Sequence, residues 1–372
     1  MVDMNWQTFA LFNRDRVPVE HQNLYGTHPF FMGVEPQGNS FGVLLLNSNA
    51  MDVVVQPTPA ITYRPIGGVL DFFVILGPTP RDVYTQYTDL VGKPFLPPYW
   101  ALGFHLCKFN YLSLNTTRDV WKKTRDAGIP FDVQWNDIDY MKNANDFTYD
   151  DQKYAGLPAF VDELHREGMH YVVIVDPGLS ASEPAGSYPP YDRGLDMNIF
   201  IKNSTDQPFI GKVWNRVSTV WPDFTHPNAT QFWLEMMADF HTKVKYDGVW
   251  IDMNEPSNML DGPKEGRCAD ERLPYKPHTP EALLRAHSLC LDAKQFAGAH
   301  YDLHNLYGLA EAITTHFALS DIRGKRPFII SRSTFVGSGR YAGHWSGDND
   351  SDWHDMAMSI PVLLNFNLFG IP

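Results

Sequence analysis

Four stretches place carboxylates directly behind apolar runs: Trp135-Asn136-Asp137-Ile138-Asp139, Val175-Asp176-Pro177, Trp250-Ile251-Asp252-Met253-Asn254-Glu255-Pro256 and His344-Trp345-Ser346-Gly347-Asp348-Asn349-Asp350. A fifth, Ile330-Ser331-Arg332-Ser333-Thr334, supplies a cation. Acids that converge with tryptophans suit a sugar site, because aromatic faces pack on the C–H faces of a pyranose while carboxylates hydrogen-bond its hydroxyls. Two carboxylates on different strands also suit glycosidic cleavage: one attacks the anomeric carbon while the other, held protonated, donates to the leaving oxygen. Asp252 could be the nucleophile. Asp348, near Trp345 and Gly347, could be the acid/base, its protonated form favoured by an apolar neighbour or a nearby carboxylate. An aspartate at a strand end can equally well cap the next helix. Asp176, followed by Pro177 and Gly178, reads as a turn or supporting residue, whereas Asp252 has too many polar neighbours for capping alone.

Composition narrows the field. The 372 residues carry 30 Lys+Arg against 43 Asp+Glu, a formal charge of −13, which repels nucleic-acid phosphates. No apolar run approaches the roughly 20 residues needed to span a bilayer. Aromatics make up 14% of the chain, including 10 Trp, so some rings are expected to line a binding surface. Asp348, Asp350 and Asp352 imitate the start of a calcium loop, but Trp353 and Ser359 stand where its glycine and glutamate belong. Gly337, Gly339 and Gly343 miss the dinucleotide spacing. With His105 and His344 alone near strand ends, and both reading as satisfied core or supporting residues, no metal and no cofactor is expected.

The segment Met1–Gln7 does not read as a signal peptide. Against a cytosolic origin stand sequons at Asn115, Asn203 and Asn228, and two cysteines, Cys268 and Cys290, flanking a polar, Pro-rich stretch that a disulfide could close in an oxidising compartment. The balance favours the secretory pathway, lysosomal or extracellular, for a chain that begins inside a longer protein.

The elements that must position these residues change character along the chain. Residues 1–90 read as short strands without helical periodicity, at Phe9–Phe12, Phe30–Gly33, Gly42–Leu46, Asp52–Gln56, Ile61–Tyr63 and Val69–Leu76, part of a β-sandwich. From 91 to 372, strand candidates at Trp100–Cys107, Phe131–Trp135, Tyr171–Val175, Gly248–Asp252, Pro327–Ser331 and Tyr341–Trp345 alternate with helices near Thr116–Ala127, Leu157–Glu167, Gln231–Lys243, Leu303–Leu319 and from Trp353. Such β-then-α repetition predicts an α/β fold, a TIM-type (β/α)8 barrel truncated after about its sixth strand. Polar insertions near 179–222 and 257–295 follow the third and fourth strands, on the side where barrels build active sites.

At these residues the sequence resembles glycoside hydrolase family 31, whose signature W-I-D-M-N-E-P-S stands unaltered as Trp250–Ser257. The resemblance extends to Trp135–Met141, Ile174–Pro177 and Ser331–Asp348, and, in the N-terminal part, to Asn23–Phe30 and Leu45–Asp52. It implies a retaining, exo-acting α-glucosidase that removes terminal α-linked glucose from maltose-, maltodextrin- or glycogen-type substrates. Asp252 would be the nucleophile, Asp348 the acid/base and Glu255 an electrostatic support for Asp252. Asp137 and Arg332 would bind hydroxyls of the non-reducing glucose, with Arg332 also pairing with Asp348. Trp214, Trp250, Met253 and Trp345 would form the walls, with Asp15 at the rim. Phe109 stands where relatives often carry Trp or Tyr. An inactive carbohydrate-binding relative, or a hydrolase of another α-glycoside such as an α-xyloside, remains the alternative. The family pattern continues past Pro372 with two more strands, so the isolated chain is expected to be poorly folded and inactive.

Overall fold

The computed structural model describes residues 4–20 and 22–372; Met1–Asp3, where the leader-free reading of the N-terminus begins, lie outside the described residues. Alternating apolar residues and turn signals give six N-terminal strands: β1 (Gln7–Leu11), β2 (Phe30–Val34), β3 (Ser40–Leu45), β4 (Met51–Gln56), β5 (Ala60–Pro65) and β6 (Phe72–Ile75). They form two antiparallel three-stranded sheets, ordered β1-β4-β5 and β2-β3-β6. The segment read as free of helix then ends in one, α1 (Pro80–Val91). Two signals mark it: at its start Thr79 accepts from the Asp82 N–H while the Asp82 carboxylate accepts from the Thr79 N–H and Pro80 presets the first turn, and along it Val83, Tyr87 and Val91 recur on one face. Val83 and Tyr87 of α1 bury themselves with Phe30, Leu44 and Ile75 and with Phe335 and Val336 from beyond the last barrel strand.

Strands and helices then interleave: β7 (His105–Leu106), α2 (Leu114–Asp126), β8 (Val133–Asn136), α3 (Leu157–Arg166), β9 (His170–Val175), β10 (Leu179–Ser180), α4 (Pro189–Asp196), β11 (Thr219–Val220), α5 (Ala229–Lys243), β12 (Gly248–Ile251), β13 (Lys294–Gln295), β14 (Gly298–Ala299), α6 (His300–Leu303), α7 (Tyr307–Arg323), β15 (Ile329–Ser331) and α8 (Trp353–Leu368), with the two-residue strands β10, β11, β13 and β14 in or beside the two polar insertions. Strands β7-β8-β9-β12-β15 form one parallel sheet, with Val133 opposite His170, Trp250 opposite Ile174 and Trp250 also opposite Ile330. Val172, Val173, Val249 and Ile251 are wholly buried, as strands covered on both faces require.

Two strand expectations are corrected. Trp100–Cys107 yields only the two residues of β7, because Tyr99–Leu102 turns as a 3₁₀ helix that lays Trp100 across His170 with ring centroids 4.3 Å apart. Tyr341–Trp345 forms no strand: Gly343 alone bridges Ile330, so the sheet has five strands and not six. The cause lies in the glycines before it. Gly339 approaches Gly370 so closely that a Cβ would lie 1.8 Å from the Gly370 carbonyl oxygen, and the backbone turns irregularly to permit that contact. Helix α4, inside the first insertion, also went unread. At the N-terminal end of the sheet Asp247 is gripped by His165 at 2.7 Å and Arg323 at 2.5 Å, tying α3 and α7 to the entry of β12.

Candidate active site

The ladder of the sheet runs past the ends of its strands, and that overrun builds the site. The Asp252 N–H donates to the Val175 carbonyl at 3.3 Å, and the Arg332 N–H donates to the Ile251 carbonyl at 3.1 Å. Asp252 and Arg332 therefore leave adjacent strands side by side. Arg332, 3% exposed, directs its fork at Glu255, with Nε to Oε1 and Nη2 to Oε2 both 2.8 Å. Its Nε also lies 3.2 Å from Asp252 Oδ1, and its Nη2 3.4 Å from Asp15 Oδ1. The expected pairing of Arg332 with Asp348 is thus corrected: the planar guanidinium matches the Glu255 carboxylate, and its other ion-pair partners are Asp252 and Asp15.

Met253 has φ of +57°, an uncommon backbone for a side chain with a Cβ, and its sulfur lies 3.1 Å from Arg332 Nη2. Asn254 fixes the neighbouring strand end, donating to Ser331 Oγ at 3.0 Å and accepting from the Ser333 N–H at 2.8 Å. Asp15 reaches the same place from the N-terminal sheets, its Oδ2 accepting from Ser257 Oγ at 2.6 Å. Trp250 meets Trp345 edge-on with centroids 5.4 Å apart and Trp135 at 5.9 Å, giving a wall of three indoles. Asp348 is exposed, its N–H 3.4 Å from the Tyr25 hydroxyl, and the Tyr25 ring lies 5.0 Å from the Arg332 guanidinium carbon. Gly347, at φ of +92°, makes this approach possible, since a Cβ there would stand 2.4 Å from the Tyr25 ring.

Electrostatics binds the cluster together. Burial pushes the Asp252 carboxyl up to about 8; Arg332 pulls it back, while Glu255, Asp348 and Asp137 push it further. Burial likewise raises Glu255, against Arg332, and lifts Asp137 to about 6, with Asp139 and Asp348 adding to it. Arg332 stays charged, because Asp252, Glu255 and Asp15 outweigh its own desolvation. Burial and mutual repulsion thus act in the same direction on Asp252, Glu255 and Asp137, each holding its proton more tightly than a free carboxylate does, with Arg332 opposing them at Asp252 and Glu255.

The structure therefore gathers Asp252, Glu255, Arg332, Met253, Asp15, Asp137, Trp250, Trp345 and Asp348. Trp214 and Phe109 stand 42% and 52% exposed and make no ring contact with the described residues of the cluster. A cavity of about 430 Å³ lined by Cys107, Trp135, Trp250, His344 and Trp345 opens beside the acids, which are not among its lining. Sequence reasoning missed Tyr25, although it lies inside the Asn23–Phe30 motif, and missed Asp146, whose Oδ1 accepts from the Asp176 N–H at 2.7 Å. Asp176 itself is buried, as a supporting residue should be. Cys268 and Cys290 form the disulfide.

A parallel sheet with acids massed at its C-terminal end is the arrangement of barrel hydrolases, and residues 94–372 match the model described as "Glycosyl hydrolases family 31 TIM-barrel domain". The chain belongs to glycoside hydrolase family 31. Over its whole length it is 51% identical to lysosomal alpha-glucosidase of Bos taurus, of which it covers 40%, and 48% identical to intestinal sucrase-isomaltase of Homo sapiens, of which it covers 21%. Among solved structures, the glucosidase II alpha subunit superposes with a TM-score of 0.83 at 28% identity, over 98% of this chain and 39% of that one. The chain thus spans about 40% of the length of the lysosomal relatives it matches.

Proposed function

We propose that the protein carrying this chain is a retaining, exo-acting α-glucosidase that removes glucose from the non-reducing ends of α-linked glucosides of the maltose, maltodextrin or glycogen type. The observation that supports this best is Asp252 Oδ1: it is buried, has no hydrogen-bond donor, and lies 3.2 Å from a guanidinium that favours its charge. Arg332 opposes the burial that raises the Asp252 carboxyl, and so favours the anion that the attack requires. In the first step Asp252 bonds to the anomeric carbon as the glycosidic bond breaks, and Asp348 gives its proton to the leaving oxygen. In the second, Asp348 takes a proton from water, the water oxygen bonds to the anomeric carbon, and the ester to Asp252 breaks. Glu255 holds Arg332 in place. Asp137, Arg332 and Asp15 bind hydroxyls, and the indoles of Trp250 and Trp345, with Met253, pack on the sugar. Trp214 and Phe109, exposed as they are, suit contacts farther from the cleaved bond.

The test is a pair of variants in the full natural gene product. Asp252→Asn should lose about a thousandfold or more in kcat on every substrate. Asp348→Asn should lose far less on an aryl α-glucoside with an activated leaving group than on maltose. Equal losses on both substrates would refute the role of Asp348. The disulfide and the sequons at Asn115, Asn203 and Asn228 support a secretory-pathway location, lysosomal or extracellular, and glycopeptide mass spectrometry should find sugar on these asparagines.

A further inference from the structure

The segment Asn13-Arg14-Asp15 comes from the N-terminal sheets, yet much of what fastens it lies behind the pocket. His300 on α6 and His304 just after it are both buried to within 1% of full coverage. His304 Nε2 lies 2.7 Å from the Asn13 carbonyl oxygen, His304 Nδ1 lies 2.9 Å from His300 Nε2, and His300 Nδ1 lies 3.3 Å from the Gln295 amide nitrogen on β13. These contacts assign the protons. A carbonyl oxygen only accepts, so His304 Nε2 carries hydrogen; in a neutral ring Nδ1 then accepts, and His300 Nε2 must donate to it. His300 Nδ1 is left to accept from the Gln295 amide. One tautomer of each ring satisfies the whole chain, and Phe12 stacks on His304 at 3.8 Å with planes 10° apart. Burial keeps both rings neutral.

Asn13 is further held by Asn305, whose Oδ1 accepts from its N–H at 2.8 Å, and by Ser333, whose Oγ accepts from its side-chain amide at 2.8 Å. Two residues later Asp15 meets Ser257 and Arg332. We propose that His304, aligned by His300, is a positioning residue for sugar binding: by holding the Asn13 carbonyl it sets how far Asp15 extends over the pocket. The inference rests on Asp15 binding a substrate hydroxyl. It predicts that the histidine pair acts on substrate affinity without touching the sugar.

A cycle of variants in the full natural gene product, assayed on maltose, tests it. Removing a contact that is made equally before and during reaction raises KM and leaves kcat nearly unchanged. His304→Phe keeps the stacked ring and removes the donor, and should raise KM about tenfold, on the order of one hydrogen bond, with kcat changed less than about twofold. His304→Gln, which returns an N–H near the place of Nε2, should recover most of that KM. In an Asp15→Ala background, His304→Phe should add nothing. Additive losses, or a fall in kcat that His304→Gln does not repair, overturn the proposal. If His304→Phe does not fold, His300→Phe serves in its place, with a KM rise of about threefold expected that vanishes in Asp15→Ala; an unchanged KM, or a rise that persists there, overturns the proposal. The two readings separate cleanly. An unchanged KM in Asp15→Ala removes Asp15 from the sugar site and the proposal with it, whereas a raised KM there with a normal one in His304→Phe removes only the positioning role.

Discussion

At the residue scale, the buried acids of the site cost stability as they ionise. Asp137 is lifted to about 6, first by burial and then by Asp139 and Asp348, above the ordinary carboxylate value. A folded-state value above the unfolded one means that the group's contribution to stability is fully present below about pH 4 and is lost as pH rises through about 6. Asp137→Asn removes this dependence. Its melting temperature should gain on that of the natural protein between pH 4 and 7, and calorimetry across that range checks the sign; a constant difference would count against it. Sequence singled out Asp137, Asp252, Glu255, Arg332 and Asp348, which the fold brings near one another, because strand-end acids and a contiguous signature are local signals. It assigned Arg332 the wrong partner, because which of several acids a fork meets depends on how far two strands overrun their ladder. Tyr25 was hidden for the same reason: its contacts lie more than 300 residues away in sequence.

Helices were legible where they were long, as in α2, α3, α5 and α7 at 10 to 17 residues, and missed where they were short, as in α4, or followed a run of strands, as in α1. Helix α1 carries both a capping box at Thr79 and Asp82 and an apolar stripe of Val83, Tyr87 and Val91, but its three turns follow directly on a run of short strands. The stretch Tyr341–Trp345 looked like a strand because apolar residues cluster there, but the preceding glycines commit the backbone to close contact with Gly370. The insertion after β12 has little regular structure and depends on cross-links: Asn258 donates to the Gly262 and Ser288 carbonyls at 2.7 and 3.1 Å, and Cys268 joins Cys290 across 22 positions. Closing a loop of that size restrains the unfolded chain by about 3 kcal/mol. Cys290→Ser should therefore lower the melting temperature and open residues 257–295 to protease before the sheet yields, as limited proteolysis with mass spectrometry would show. Simultaneous cleavage throughout the chain would contradict this.

For the whole molecule, the expected parallel barrel architecture appears as an arc of five strands whose outer members are β7 and β15. Exposed apolar side chains such as Ile360, Leu363 and Leu364 on α8 lie beyond its core, at 61% to 68% exposure. No helix of the described residues is long and apolar enough to cross a membrane. Protection should follow the arc: amide exchange in the full natural gene product should be slower in β8, β9 and β12, paired on both sides, than in β7. Equal protection of β7 and those three strands would rule this out. The order of the arc has one more consequence. Neighbours in space are successive parallel strands of the chain, so each strand leaving the ribosome finds its partner already made, and the sheet can grow from β7 onward during synthesis with no need to wait for a distant segment.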